Sequence, residues 1–172
     1  MILQRLFGSK PNPIAAVYDA IVASARQPVF YADMGVPDTL DGRFDMIVLH
    51  MFLVLERMKG EDEKFRQSLT DYFFMDMDRS LREIGVGDLT VGKKVRKMAE
   101  AFYGRINAYQ NASEQGEVKW IEALERNVYG GIDYSGKVSL HAVELAKWVA
   151  ATSATLAAQS PQKIMQAKLE FA

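Results

Sequence analysis

The stretch "GDLTVGKK", residues 87–94, resembles a catalytic motif more than any other part of this sequence. A phosphate-binding P-loop reads G-x-x-x-x-G-K-[ST], and Gly87, Gly92 and Lys93 occupy its fixed places. Lys94, however, stands where the motif needs a hydroxyl to bind Mg²⁺. A P-loop also follows a β-strand, whereas the preceding "MDMDRSLREIG" has helical character. We therefore predict a turn between two helices here, and no nucleotide site.

Two nearby carboxylates, Asp76 and Asp78, are candidate ligands for a divalent cation. In an EF-hand loop that opens at Asp76, the sixth residue should be Gly and the twelfth Glu. Those places are taken by Leu81 and Gly87. On a helix, side chains two residues apart point in different directions and cannot share one ion. We expect both aspartates to be solvated helix residues.

The other chemically interesting pairs do not form a recognisable site. His50 and His141 are far apart in sequence, and neither has a carboxylate at ligand spacing. Ser160 and Lys163 match the S-x-x-K spacing of a serine nucleophile, but the companion motifs are absent. The chain has no Cys, which excludes disulfides and thiolate chemistry. We predict no catalytic residue, no metal site and no cofactor.

The composition is that of one ordinary globular domain. The chain has 172 residues, of which 49% are hydrophobic and 25% charged, and its net charge of −1 implies no bulk attraction to DNA or acidic lipid. The start lacks the features of a signal or transit peptide. The longest apolar run, residues 44–58, is shorter than the ~20 residues of a membrane span. These features predict a soluble cytoplasmic protein that can still touch a membrane surface.

The apolar residues recur with a helical period almost throughout the chain. We predict helices near 13–26, 39–59, 61–84, 90–109, 117–128 and 139–158, with Thr90 capping the fourth helix. For residues 27–42 we expect a packed loop, and one short strand or a helical turn is the alternative. The prediction is an all-α, single-domain bundle of six to eight helices spanning residues 1–172. Within it, we expect residues 1–12 to be flexible and residues 161–172 to form a weakly packed helical tail.

One short basic cluster departs from the even charge balance. At about 100° per residue, four cations fall on the side of the fourth helix opposite its apolar stripe: Lys93, Lys94, Arg96 and Lys97. Glu100 can pair with only one of them, so most of their mutual repulsion is uncompensated. Two interpretations remain open: a merely solvated helix face, or a binding face for an anionic partner.

Aromatic and methionine residues lie near this cluster. Gly104 is in mid-helix, which costs about 1 kcal/mol relative to Ala and is best explained by another backbone packing close. Tyr103 and Arg105 flank it and could line a groove. In "YFFMDM", four large apolar residues follow one another almost without a break: Phe73, Phe74, Met75 and Met77. They cannot all face one core, so one or two of them, with Phe74 and Met77 as the candidates, should reach a surface suited to apolar peptides. Core packing of most of them is the alternative.

Two long blocks carry a family resemblance. They are "DGRFDMIVLHMFLVLERM", residues 41–58, and "QSLTDYFFMDMDRSLREIGVGDLTVGKKVRKMAEAFYGRINAY", residues 67–109. Both resemble the ubiquinol–cytochrome c chaperones, which are assembly factors for the cytochrome b subunit of respiratory complex III. The resemblance implies an all-helical, non-enzymatic protein that holds newly made cytochrome b.

The resemblance also implies partners. Mitochondrial members act with a small partner protein near the ribosomal tunnel exit. This chain lacks a transit peptide and is similar to the shorter bacterial form, for which we expect a cytoplasmic location with peripheral contact to the inner membrane. The cationic face would suit ribosomal RNA, an anionic membrane surface or an acidic client loop. A general helical adaptor with another client is the alternative function.

Overall fold

A computed structural model describes residues 12–130 and 140–172, and all regular structure within these ranges is helical. The eight helices are α1 (Pro13–Ala25), α2 (Pro28–Ala32), α3 (Leu40–Arg57), α4 (Glu63–Glu83), α5 (Asp88–Gln115), α6 (Glu117–Asn127), α7 (Leu140–Ala157) and α8 (Pro161–Met165). The predicted all-α class is confirmed. The expectation that residues 1–12 are flexible concerns residues that, except for Asn12, lie outside the described ranges.

Helix α3 forms the centre of the bundle. Every residue from 45 to 55 is buried, and the helix packs against α1, α5 and α7. This explains why the sequence of α3 is apolar around its whole circumference. No helix in the described ranges is both long enough and apolar enough to cross a membrane.

The start of α3 depends on a tight approach of two backbones. The Thr39 hydroxyl accepts a hydrogen bond from the Gly42 amide at 3.1 Å and so caps the helix. A Cβ atom at Gly42 would lie only 2.0 Å from the Pro37 carbonyl oxygen. The entry into the central helix therefore requires a residue without a side chain.

Two ionisable groups are buried on α3. Asp45 is 5% exposed and forms an ion pair with Arg105 of α5, with 2.6 Å between Asp45 Oδ1 and Arg105 Nη2. His50 is fully buried; its Nδ1–H donates to the Met46 carbonyl oxygen at 2.8 Å. Burial raises the pKa of Asp45 to about 6, although Arg105 partly opposes the shift. Burial lowers the pKa of His50 to about 4.

The region between α1 and α3 contains a helical turn, which was the alternative to the expected packed loop. Residues 28–32 form the short helix α2, with Pro28 at its first position, where a missing N–H costs no hydrogen bond. The Phe30 ring is buried and packs edge-on against both His50 and Trp148, with ring centroids 5.3 and 4.9 Å apart. A local helical turn therefore positions an aromatic residue of the core.

The C-terminal segment also differs from expectation, because it is firmly packed. Gln159 makes two hydrogen bonds with the Glu170 backbone, at 2.8 and 2.9 Å. The Trp148 indole N–H donates to the Ala172 carbonyl oxygen at 2.9 Å, and the Phe171 ring lies 4.9 Å from His50. Within this segment, only residues 161–165 are helical. The residues after them are held to the core by the contacts of Trp148, Gln159 and Phe171, which the weak helical pattern of the sequence does not predict.

Gly42 and Gly104, which both lie inside helices, should respond oppositely to substitution. Gly42→Ala should lower the free energy of unfolding by about 1–3 kcal/mol, because the new methyl group overlaps the Pro37 carbonyl. Gly104→Ala is the matched control. No atom lies within 4 Å of the Cβ position of Gly104, so removing a mid-helix glycine should stabilise the protein by up to about 1 kcal/mol. Urea unfolding monitored by circular dichroism measures both, and equal effects would contradict this account.

The two buried groups of α3 should give opposite pH dependences. The pKa of Asp45 is raised by folding, so its contribution to stability is present below pH 4 and lost as the pH rises through about 6. The pKa of His50 is lowered by folding, so its contribution is present above pH 6.5 and lost as the pH falls through about 4. In the native protein the two effects largely cancel between pH 4 and 6.

Replacing one group should expose the effect of the other. In Asp45→Asn, the free energy of unfolding should fall by about 3 kcal/mol more than in the native protein as the pH is lowered from 6.5 to 4. His50→Leu should show the reverse slope. The measurement is urea unfolding across that pH range. The slope of the unfolding free energy against pH is compared, because both variants lose stability at every pH. A native slope in Asp45→Asn would show that these groups do not titrate as described.

Candidate functional site

The predicted turn between two helices is confirmed, and it lies at residues 84–87, at the start of the P-loop-like stretch. Helix α4 ends at Glu83, Gly85 adopts a left-handed conformation with φ +85°, and Gly87 stands immediately before α5. Helix α5 therefore begins at Asp88, and the expected cap at Thr90 is wrong, because the chain has already turned at Gly85–Gly87. Lys93 and Lys94 lie on α5, where they face solvent and form no phosphate cradle.

Residues 78–97, the end of α4 and the start of α5, form a segment that we call the arm. Val91 is its single fully buried residue, and it lies outside the main hydrophobic core. Helix α5 has 28 residues and α3 only 18, which corresponds to about 42 Å against about 27 Å. The residues of α5 that belong to the main core, Phe102, Tyr109 and Ala112, all follow the arm in sequence, so the arm contributes nothing to that core.

The cationic face of the arm consists of four exposed side chains: Lys93, Lys94, Arg96 and Lys97. None of these four forms an ion pair within residues 12–130 and 140–172. Glu100, which could have paired with Arg96 or Lys97, forms none either. The apolar stripe of α5 is at least partly buried at every expected position. The predicted arrangement of one anchoring face and one free cationic face is confirmed.

The acids of the arm are all engaged by its other cations. Asp78 pairs with Arg82 at 2.6 Å, Asp88 pairs with the same guanidinium, and Glu83 lies 4.0 Å from Arg79. The arm contains six basic and three acidic residues, a charge of +3 in a chain of −1. Because the acids face the arginines of α4, the positive charge of α5 remains uncompensated.

Two aromatic residues join α4 to α5 near the base of the arm. The half-buried Phe74 packs on Tyr103, with ring centroids 6.0 Å apart, and also on the buried Phe102. The Tyr103 ring is 52% exposed. Met77 is partly buried against the core, and Met75 is the exposed residue of the "YFFMDM" stretch. Tyr103 and Met75 therefore reach solvent, whereas Met77 contributes mainly to packing.

Arg105 does not share a groove with Tyr103, contrary to expectation. Its guanidinium pairs with Asp45 and lies 5.5 Å from the centre of the Phe44 ring. Tyr103 instead packs on α4, and the two side chains leave α5 about 160° apart when counted around the helix. Gly104 is exposed, and no backbone packs on it. Arg105 therefore connects α5 to the central helix and is not free for a partner.

The remaining candidate residues have structural roles. Asp76 accepts a hydrogen bond from the Tyr18 hydroxyl at 3.1 Å and pairs with Arg79. The Ser160 hydroxyl accepts a hydrogen bond from the Lys163 amide at 3.3 Å and so caps α8. In the described part of the chain, no group of three or more Asp, Glu or His side chains is arranged to hold a metal ion.

Two features were missed by reading the sequence. Ile84 and Leu89 lie on either side of the corner, and both are strongly exposed although they are aliphatic. The sequence shows an aliphatic residue on each side of the glycines, but it does not show that these side chains are exposed. The other feature is an open cavity of about 330 Å³ between α3, α6 and α7, lined in part by Leu53, Trp120 and Ser153. Its walls come from distant segments, so no local pattern marks it.

Three comparisons with known proteins agree. The sequence model described as "Ubiquinol-cytochrome C chaperone" matches residues 32–171. The chain is 25% identical over 115 residues to ubiquinol-cytochrome-c reductase complex assembly factor 1 of Xenopus laevis, covering 65% of this chain and 58% of the relative's length.

A solved structure resembles the whole chain. The crystal structure of the Cbp3 homolog from Brucella abortus superposes with a TM-score of 0.80 at 37% sequence identity, covering 100% of this chain and 97% of that one. The family match extends over the central helix, the arm and the packed C-terminal segment. The chain therefore belongs to the ubiquinol-cytochrome C chaperone family.

Proposed function

We propose that this protein is an assembly chaperone that binds newly made cytochrome b of ubiquinol–cytochrome c reductase, and that it acts by binding and not by catalysis. The family match over residues 32–171 carries the proposal. The similarity to an assembly factor of that complex from Xenopus laevis supports it. We place the protein in the cytoplasm, in peripheral contact with the inner membrane.

The arm is the surface that we assign to partner binding. Four free cations on one helix face repel one another, and nothing in the described part of the chain compensates this cost. A face of this kind gains free energy when an anionic surface approaches, whether ribosomal RNA, lipid head groups or an acidic loop of the client. Tyr103 extends the face toward the base of the arm, and Phe74 supports it from α4.

Three residues that the sequence predicted as partner-binding have structural roles instead. Arg105 is committed to Asp45, and Met77 is packed against the core. Phe74 is half-buried and supports Tyr103 without offering a free ring face of its own. The proposed contact surface is therefore smaller than the sequence suggested, and the arm cations with Tyr103 are its centre.

Charge reversal on the arm should impair assembly without unfolding the protein. Replacing Lys93, Lys94 and Arg96 together by Glu should lower the cytochrome b content of membranes toward that of a strain lacking the gene. The side chains are exposed and unpaired, so circular dichroism and the urea midpoint should stay near native values. The haem b absorbance of purified membranes measures the effect.

The control makes the same change of charge elsewhere. Lys64, Lys163 and Lys168 are also exposed, form no ion pair in the described part of the chain and lie away from the arm. Their replacement by Glu should leave cytochrome b at its native level. A native level in the arm variant would remove the role given to that face. Co-purification of other proteins without cytochrome b would favour a general adaptor.

A further inference from the structure

The tip of the arm places two exposed aliphatic residues beside exposed cations. Leu89 is 101% exposed and Ile84 is 70% exposed, and they flank the corner between α4 and α5. Scattered exposed aliphatic residues are normal on protein surfaces. These two, however, lie at the projecting end of a hairpin, and the four free cations begin one helical turn from Leu89.

The positions on α5 form one continuous stripe. Lys93, Arg96 and Tyr103 follow Leu89 by 4, 7 and 14 residues, which places all four side chains within about 80° of the helix circumference. The stripe lies on the side away from the buried Val91 and Phe102. An aliphatic tip, a cationic middle and an aromatic base therefore share one solvent-facing surface.

We infer that this stripe binds the surface of an anionic lipid bilayer. The inference rests on the proposed function in one respect, namely that the cationic face of the arm binds an anionic partner. Cations close to the membrane surface are attracted to anionic head groups. Leu89 and Ile84 gain free energy by entering the apolar boundary beneath the head groups. Tyr103 lies 14 residues along α5 from Leu89, a distance of about 21 Å, so it stays outside the head groups when the tip inserts.

Nucleic acid is a poorer match for the same surface. RNA phosphates would satisfy the cations but offer no apolar medium for two exposed aliphatic side chains. An acidic peptide has the same shortcoming unless apolar residues accompany its acids. A bilayer supplies both kinds of surface in the order in which the arm presents them.

The charge distribution would also orient the protein. The arm carries +3, and the rest of the chain therefore carries −4. An anionic membrane attracts the arm and repels the remainder, so the protein should dock through the hairpin tip with the bundle held away. The surfaces of α6 and α7 would then stay accessible to a client.

Vesicle flotation with the full chain tests this inference. The protein should float with vesicles of phosphatidylcholine containing about one-third phosphatidylglycerol, and not with pure phosphatidylcholine. Replacing Lys93, Lys94 and Arg96 by Glu should weaken partitioning by roughly a hundredfold or more, from about 1 kcal/mol per cation. Leu89→Ser together with Ile84→Ser should weaken it by roughly tenfold or more, since each loses an inserted aliphatic side chain.

A matched control separates insertion of the tip into the bilayer from non-specific hydrophobic adsorption. Leu40 and Val118 are 80% and 68% exposed, and they lie outside the arm. Leu40→Ser with Val118→Ser should leave partitioning unchanged. Equal binding of the Leu89/Ile84 variant and the native protein would overturn the inference, as would binding to ribosomal RNA in the absence of any binding to anionic vesicles.

The outcome is separable from that of the assembly experiment. If vesicle binding fails while the arm charge reversal still lowers cytochrome b, the face serves the client or the ribosome, and only the membrane inference is lost. If vesicle binding holds while cytochrome b stays native, the assembly role of the face is lost and its membrane contact stands.

Discussion

The burial of α3 is the constraint on which the rest of the structure depends. A helix with eleven consecutive buried residues must be covered on all sides, and α1, α5 and α7 supply the cover. Buried polar groups cost free energy unless they find partners inside the protein. Asp45 pairs with the Arg105 guanidinium, and the His50 Nδ1–H donates to the Met46 carbonyl oxygen within α3 itself. The Asp45–Arg105 pair joins α5 to the centre of the bundle.

The position of α5 in turn creates the arm. The Asp45–Arg105 pair and the Phe74–Phe102 contact hold the second half of this long helix against α3 and α4. The helix continues about 15 Å beyond that region at its N-terminal end. In the arm, the ion pairs are local: the acids near the corner pair with Arg79 and Arg82, and Val91 is the one fully buried side chain. The four cations of α5 have no such partner in the described part of the chain, so they remain exposed on the surface of the arm.

The C-terminal segment shows how core packing can outweigh weak local propensity. Residues beyond 165 form no regular helix, yet Phe171 and the backbone of Glu170 and Ala172 are held by Trp148, Gln159 and the His50 ring. A reading based on helical period sees only a faint pattern there and predicts loose packing. The same limit applies to α2, which is short and is stabilised mainly by the burial of Phe30.

The sequence by itself determined the features that depend on nearby residues. The helical spacing of the apolar residues specified the helices, and the glycines at 85 and 87 specified the corner. The positions of Lys93 and its neighbours around the helix axis specified a cationic face opposite the buried stripe. Tertiary structure decided the rest, because it depends on which distant segments meet. Only packing could show that Arg105 pairs with Asp45 and that, among the described residues, Gly104 has no close neighbour and Leu89 and Ile84 are left exposed.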